Sequence, residues 1–283
     1  MPIRRIVDSH VHLIDTTRMS YPWMDQAPEF RRPFTPAHYR EATVGLPITD
    51  LVFMEVTAAW EHCVDEIDWV ESLRADEPRL GAMVARAPLS DARRREQILG
   101  ELRTRPRVTG IRDIIQSEPR GYCCSPGYIA GVQLAARLGF AIELCVFHPQ
   151  LPDVIELVRS CPEARFMLDH CGKPGIRDGL LEPWRTHIRE LAGMGNVSCK
   201  ISALLTEADL KQWRREDFTP YTDHVLACFG PKRVLYGGDW PILTLAGTYR
   251  DWFAVTGHIT SGWSESDLDA FYYANAREFY RIA

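Results

Sequence analysis

The chain has 283 residues, 46% of them hydrophobic, enough apolar surface for a full core. Its net charge is −5 with no long run of either sign, which excludes the usual signature of nucleic-acid binding. No apolar stretch approaches the ~20 residues that span a bilayer, and Met1-Pro2-Ile3-Arg4-Arg5 contains no long apolar signal segment. The eight cysteines are scattered without a CxxC, and read as reduced thiols in a cytoplasmic protein.

Ile6 to Leu13 (IVDSHVHL) reads as a buried strand ending in two histidines. Alternation along a strand places Asp8, His10 and His12 on one face, with the two histidine Cα atoms about 6.6 Å apart. Both imidazoles can then reach one point, to ligate a divalent metal or to donate to one oxygen. A long loop follows, Ile14 to Pro36, with Tyr21-Pro22-Trp23 and Arg31-Arg32; loops of this length are usually functional. Strand-like and helix-like segments then alternate. Strands are expected over 50–56, 80–87, 108–112, 140–147, 165–169, 197–201 and 233–236. Helices are expected over 61–76, 91–104, 128–138, 151–160, 181–194, 221–229 and 249–258.

With the first strand this makes eight units and no composition break. The pattern implies a parallel sheet closed into a (β/α)8 TIM barrel, one domain over 1–283. A last helix, 264–281, closes the bottom or side and can be capped by Ser264 with Asp267. A doubly wound open sheet is the alternative, but no GxGxxG follows the first strand.

Barrel enzymes gather catalytic groups at the C-terminal ends of the strands. Those ends carry His10 and His12, Arg112, His148, His170, Lys200 and Asp239, six of the eight strands. Of the adjacent pair Asp169 and His170 only one should face the axis, and alternation from Phe166 and Leu168 selects His170. Lys200 is a lysine within an apolar strand, rarely buried without a partner, and so a site candidate by exclusion. Arg112 follows the same logic, against an ion pair with Asp113 or Glu143. His148 precedes Pro149 and is a loop histidine or a site residue; Trp23 is packing or a substrate wall.

The stretches VDSHVHL, YPW, GIRDIIQ, FMLDHCGKP, SCKISALLTEAD, RVLYGGDWPILTLAGTY and NAREFYRI cover the chain. In them the sequence resembles the amidohydrolase superfamily, and within it the amidohydrolase-related branch that includes sugar-acid lactonases such as L-fuconolactonase and L-rhamnonolactonase. The resemblance implies His10, His12, His170 and Asp239 as the core site, with Arg112 and Lys200 as substrate contacts. It also implies a hydrolase that opens an aldonolactone by water attack on the ester carbonyl, its partner a small-molecule sugar lactone. Self-association into a homo-oligomer stays open. Many superfamily members carry a carbamylated lysine on strand four or five that bridges two metals. Here Arg112 ends strand four and strand five runs to His148, so one divalent ion at most, zinc or manganese, is expected. The branch contains metal-bound and metal-independent members. Asp239 is the expected general base, with His10, His12 and His170 holding the metal or polarising the carbonyl. The rival function is a metal-dependent non-oxidative decarboxylase of the same superfamily, with Arg112 on the substrate carboxylate.

Overall fold

Alternate residues of the strands separate into two apolar layers. Val7, Val52, Met54, Ala82, Val84, Met167 and Leu235 form one fully buried cluster inside the sheet. Ile6, Leu51, Phe53, Met83, Ile111, Leu144, Phe166, Leu168 and Tyr236 belong to the larger cluster between sheet and helices. A strand buried on both faces needs a cover on each side, and closing the sheet on itself supplies the inner one.

The computed structural model describes residues 3–116 and 118–283; Met1 and Pro2, in the segment read as leading into the first strand, lie outside the described residues, as does Ser117. Eight parallel strands follow in chain order: β1 Ile6–Val11, β2 Ile48–Met54, β3 Leu80–Arg86, β4 Val108–Arg112, β5 Ala141–Leu144, β6 Phe166–Leu168, β7 Val197–Ile201 and β8 Val234–Tyr236. Val11 bridges Trp240 in parallel, and the His12 N–H donates to the Trp240 carbonyl at 2.8 Å, which brings the last strand back to the first. The expected barrel is formed.

The helices are α1 Pro36–Ala42, α2 Cys63–Ser72, α3 Ala92–Leu102, α4 Pro126–Arg137, α5 Leu151–Ser160, α6 Trp184–Ala192, α7 Leu204–Glu207, α8 Thr219–Phe229 and α9 Tyr249–Ile259. None among the described residues is long and apolar enough to cross a membrane. The sequence reading had no helix in the first unit. There α1 begins where the long loop ends, with Pro36 at its first position and Thr35 at its cap. The expected last helix is three pieces: α10 Glu265–Asp269, a π-helical segment Ala270–Ala274, and α11 Asn275–Tyr280. Ala276, Tyr280 and Ile282 join the inner cluster and plug the barrel at the end where the strands begin. A Cβ on Gly81 would lie 2.8 Å from Ile282, so the plug seats against a glycine.

Candidate active site

At the opposite end, a cavity of about 320 Å³ opens between the loops that follow the strands. His12, Arg112, His170 and Asp239 line it, and Trp23 and Phe30 wall one side. His10 forms part of its floor and is fully buried. The Asp239 Oδ1 lies 3.4 Å from His10 Nε2 and 3.3 Å from His12 Nε2. The His10 ring stands 5.0 Å from the His12 ring and 4.5 Å from the His170 ring. Three imidazoles and one carboxylate thus meet at one point.

Outer partners aim the rings. The Nδ1 of His12 is 2.9 Å from the Met54 carbonyl, and that of His170 is 2.8 Å from Ser202 Oγ. A nitrogen held by such a partner leaves the other nitrogen to face the cavity. Burial lowers His10 well below its ordinary pKa and His170 to about 4, so both imidazoles are neutral near pH 7. Burial alone would raise Asp239; His170, His12 and His10 around it reverse the sign and hold it below the usual carboxylate range.

Asp8 does not share a face with His10 and His12, contrary to strict alternation. Between Asp8 and Val11 β1 carries one residue more than β2 does between Leu51 and Phe53. This bulge turns Asp8 outward. Its carboxylate accepts from Tyr39 (2.8 Å), Tyr249 (2.6 Å) and the Gly238 N–H (2.7 Å). That ties α1, α9 and the strand-eight loop to β1, directly beneath Asp239. A Cβ on Gly238 would lie 2.6 Å from Asp8 Oδ2 and from Tyr249, so the close approach requires glycine.

Asp169 also departs from expectation. Phe166 and Leu168 face the helices, so alternation sends Met167 and Asp169 inward. His170 joins them because the backbone turns left-handed: φ is 54° at His170, 55° at Cys171, 66° at Gly172 and 45° at Lys173. Both acid and histidine therefore face the axis. Each non-glycine residue in this conformation costs about 1–2 kcal/mol, and such strain gathers at functional sites. Among the described residues, six of seven non-glycine positive-φ positions lie on this rim: Thr57, His170, Cys171, Lys173, Ala203 and Asp239.

Lys200 is not a substrate contact. It lies fully buried beneath the cavity floor, donating to Glu143 at 2.8 Å and Asp169 at 2.9 Å, with His10 Nδ1 at 3.3 Å. Burial pushes Glu143 up to about 8, aided by neighbouring Asp169; Asp169 itself is held low against burial by Lys200. Arg112 reaches the cavity wall, but its partner is neither Asp113 nor Glu143. Its Nε donates to Glu55 Oε1 at 2.5 Å and its Nη2 to the Glu55 carbonyl at 2.6 Å; Nη1 sits 3.4 Å from His10 Nε2. His148, half-buried in a turn after β5, does not line the cavity, a second correction to the expected substrate contacts. Trp23 does line it, its indole N–H donating to the Val56 carbonyl at 2.8 Å.

Sequence reasoning missed Glu55 and Lys173. Glu55 is a lone charge in the apolar run DLVFMEV, the same signal that singled out Lys200. Lys173 is a cation between Gly172 and Pro174, at a turn where a long side chain rarely sits.

The donor set fits one divalent cation. Ligands about 2.1 Å from a tetrahedral centre stand about 3.4 Å apart, and the two nitrogen–oxygen separations at Asp239 are 3.3 and 3.4 Å. The ligand atoms of His10, His170 and Asp239 lie within 4.8 Å of one another, and two of the three site imidazoles, His12 and His170, have an outer partner at hydrogen-bonding distance.

A parallel barrel with an imidazole–carboxylate cluster at its C-terminal rim defines the amidohydrolases, and the chain belongs to that family: residues 7–282 match the amidohydrolase family model. It is a hydrolase. It is 29% identical over 287 aligned positions to the L-fucono-1,5-lactonase of Burkholderia multivorans, spanning 93% of this chain and 90% of that protein. The L-fucono-1,5-lactonase of Burkholderia ambifaria is 31% identical over 191 positions, 62% of each chain. A crystal structure of a Burkholderia multivorans amidohydrolase with bound zinc superposes with a TM-score of 0.86 at 26% identity, covering 98% of this chain and 99% of that one.

Proposed function

We propose that this protein opens a sugar-acid lactone, an aldonolactone such as L-fucono- or L-rhamnono-lactone, by adding water to the ring ester. The carrying observation is the Asp239 carboxylate, kept ionised among three imidazoles at the floor of a cavity sized for one small molecule. Relatives named L-fucono-1,5-lactonase support the substrate class.

Asp239 accepts a proton as water oxygen bonds to the carbonyl carbon and the carbonyl π pair moves onto its oxygen. When that pair returns, the bond from carbon to ring oxygen breaks. The same carboxyl, a strong acid because its neighbours favour the ionised form, passes its proton to the departing ring oxygen. The product is a hydroxy acid. His10, His170 and Asp239, with His12 beside them, are the residues that would hold a zinc- or manganese-type ion, which when bound acidifies water at the site. His10 and His12 hold Asp239 in place from one side, and Trp23 with Phe30 keep bulk water from the other.

Asp239→Asn preserves the shape and removes the base. Proton release from a panel of aldonolactones should fall in kcat by at least ~10²-fold. Activity within a few-fold of the parent refutes the assignment, and release of carbon dioxide from hydroxybenzoates in place of lactone opening would identify a decarboxylase.

A further inference from the structure

Three cations approach the cavity, and two are committed elsewhere. Lys200 is fully buried between Glu143 and Asp169. Arg112 gives its Nε and Nη2 to Glu55. Lys173 is different. Its side chain lines the cavity, yet its one ion partner among the described residues is Glu207, and that stands 3.7 Å from Nζ, beyond hydrogen-bond distance.

The backbone explains how Lys173 comes to the cavity. The left-handed turn after β6 closes with the Lys173 N–H donating to the His170 carbonyl at 2.8 Å. Side chains three apart in a turn of this pitch eclipse one another. The turn that presents His170 therefore presents Lys173 on the same side. The two are electrically coupled: burial lowers His170 and the Lys173 charge adds to that, while Asp239 and Glu207 both help keep Lys173 protonated against its burial.

Building on the lactonase reading, we infer that Lys173 is a catalytic residue: its ammonium meets the lactone carbonyl oxygen and stabilises the oxyanion formed when water adds. Chemistry supports this division of labour. The imidazoles and Asp239 serve the water, and a separate charge must receive the electron pair displaced from the carbonyl. A lysine ammonium is a compact charge with three donors, and in Lys173 no carboxylate oxygen lies close enough to occupy one. Glu207 holds the side chain without neutralising its tip.

The test is steady-state kinetics of Lys173→Met and Lys173→Gln beside the parent, on aldonolactones and on an activated aryl ester, with thermal melting of each. A donor to the oxyanion alone should cost about 10²-fold in kcat with KM within about threefold. Both variants should melt near the parent, since the ammonium makes no hydrogen bond within the protein. Loss confined to KM would make Lys173 a ground-state contact and overturn the inference, as would kcat within threefold of the parent in either folded variant. A parent enzyme that hydrolyses neither lactones nor the aryl ester refutes the lactonase reading itself, a result distinct from an active parent with an equally active Lys173→Met.

Discussion

Lys200, Arg112 and Asp239 are each charged and buried, and each is matched differently. Lys200 has two carboxyls and no path to the cavity; removing it would leave Asp169 ionised in the barrel with one neighbour fewer. Arg112 spends its fork on Glu55 and so stiffens the wall as much as it can touch a ligand. Asp239 is surrounded by imidazoles that are themselves kept neutral. Because its pKa is depressed, Asp239 is ionised throughout the neutral range, and activity is lost only as pH falls through that lowered value. His170, lowered to about 4, likewise keeps its neutral form above that pH. The pH profile of kcat/KM, corrected for spontaneous lactone opening, should therefore be flat from about pH 5 to about pH 7. An acid limb with a midpoint near pH 6 would mean that some other group is the base.

At the scale of elements, the C-terminal segment performs two tasks. The π-helical insertion Ala270–Ala274 offsets α11 from α10, and α11 then delivers Tyr280 into the barrel bottom. There the Tyr280 hydroxyl donates to Glu143 Oε1 at 2.6 Å, and Lys200 Nζ lies 5.5 Å from the Tyr280 ring. The plug thus completes the polar chain Tyr280–Glu143–Lys200–Asp169 that ends beneath His10. Tyr280→Phe keeps the packing and leaves a buried carboxyl oxygen without its donor, a loss of about 1–3 kcal/mol. Thermal melting should drop by several degrees, at about 2–4 °C per kcal/mol for a chain of this size, with kcat changed less than the stability. An unchanged melting temperature would show that the hydrogen bond contributes nothing.

For the whole molecule, the candidate ligands sit at positions 10, 12, 170 and 239 and meet only when β8 returns to β1. Metal binding and global folding are therefore coupled, since the unfolded chain holds no such site. A second group, Cys145, Asp169 and His170, shares His170 with the first, and burial pushes the Cys145 thiol up to about 11, so it resists becoming a thiolate. Lys200 also already occupies Asp169. Zinc titration of chelator-treated protein should load at most one tightly held ion per chain and raise the melting temperature. Two tight ions per chain by metal analysis would contradict this, and none, with activity resistant to chelators, would leave the imidazoles as direct hydrogen-bond donors.

The barrel and most of the imidazole–carboxylate cluster were legible in the sequence. Strand–helix alternation is a local property, and strand ends are marked by a change from apolar to ionisable residues, as at His10, His12, Arg112 and Asp239. What local pattern could not carry is parity and depth. One extra residue in β1 turned Asp8 outward, and four left-handed residues after β6 brought Asp169, His170 and Lys173 to the same side. A one-residue shift reverses every side chain along a strand, and only the register with neighbouring strands records it. Depth is likewise tertiary: Lys200 and His148 both follow apolar strand patterns, yet the first lies under the floor and the second outside the wall. Residue type and spacing therefore determined which chemistry gathers at one rim. Closure of the barrel, by fixing register and tilt, decided which of those groups touch the cavity and which support it.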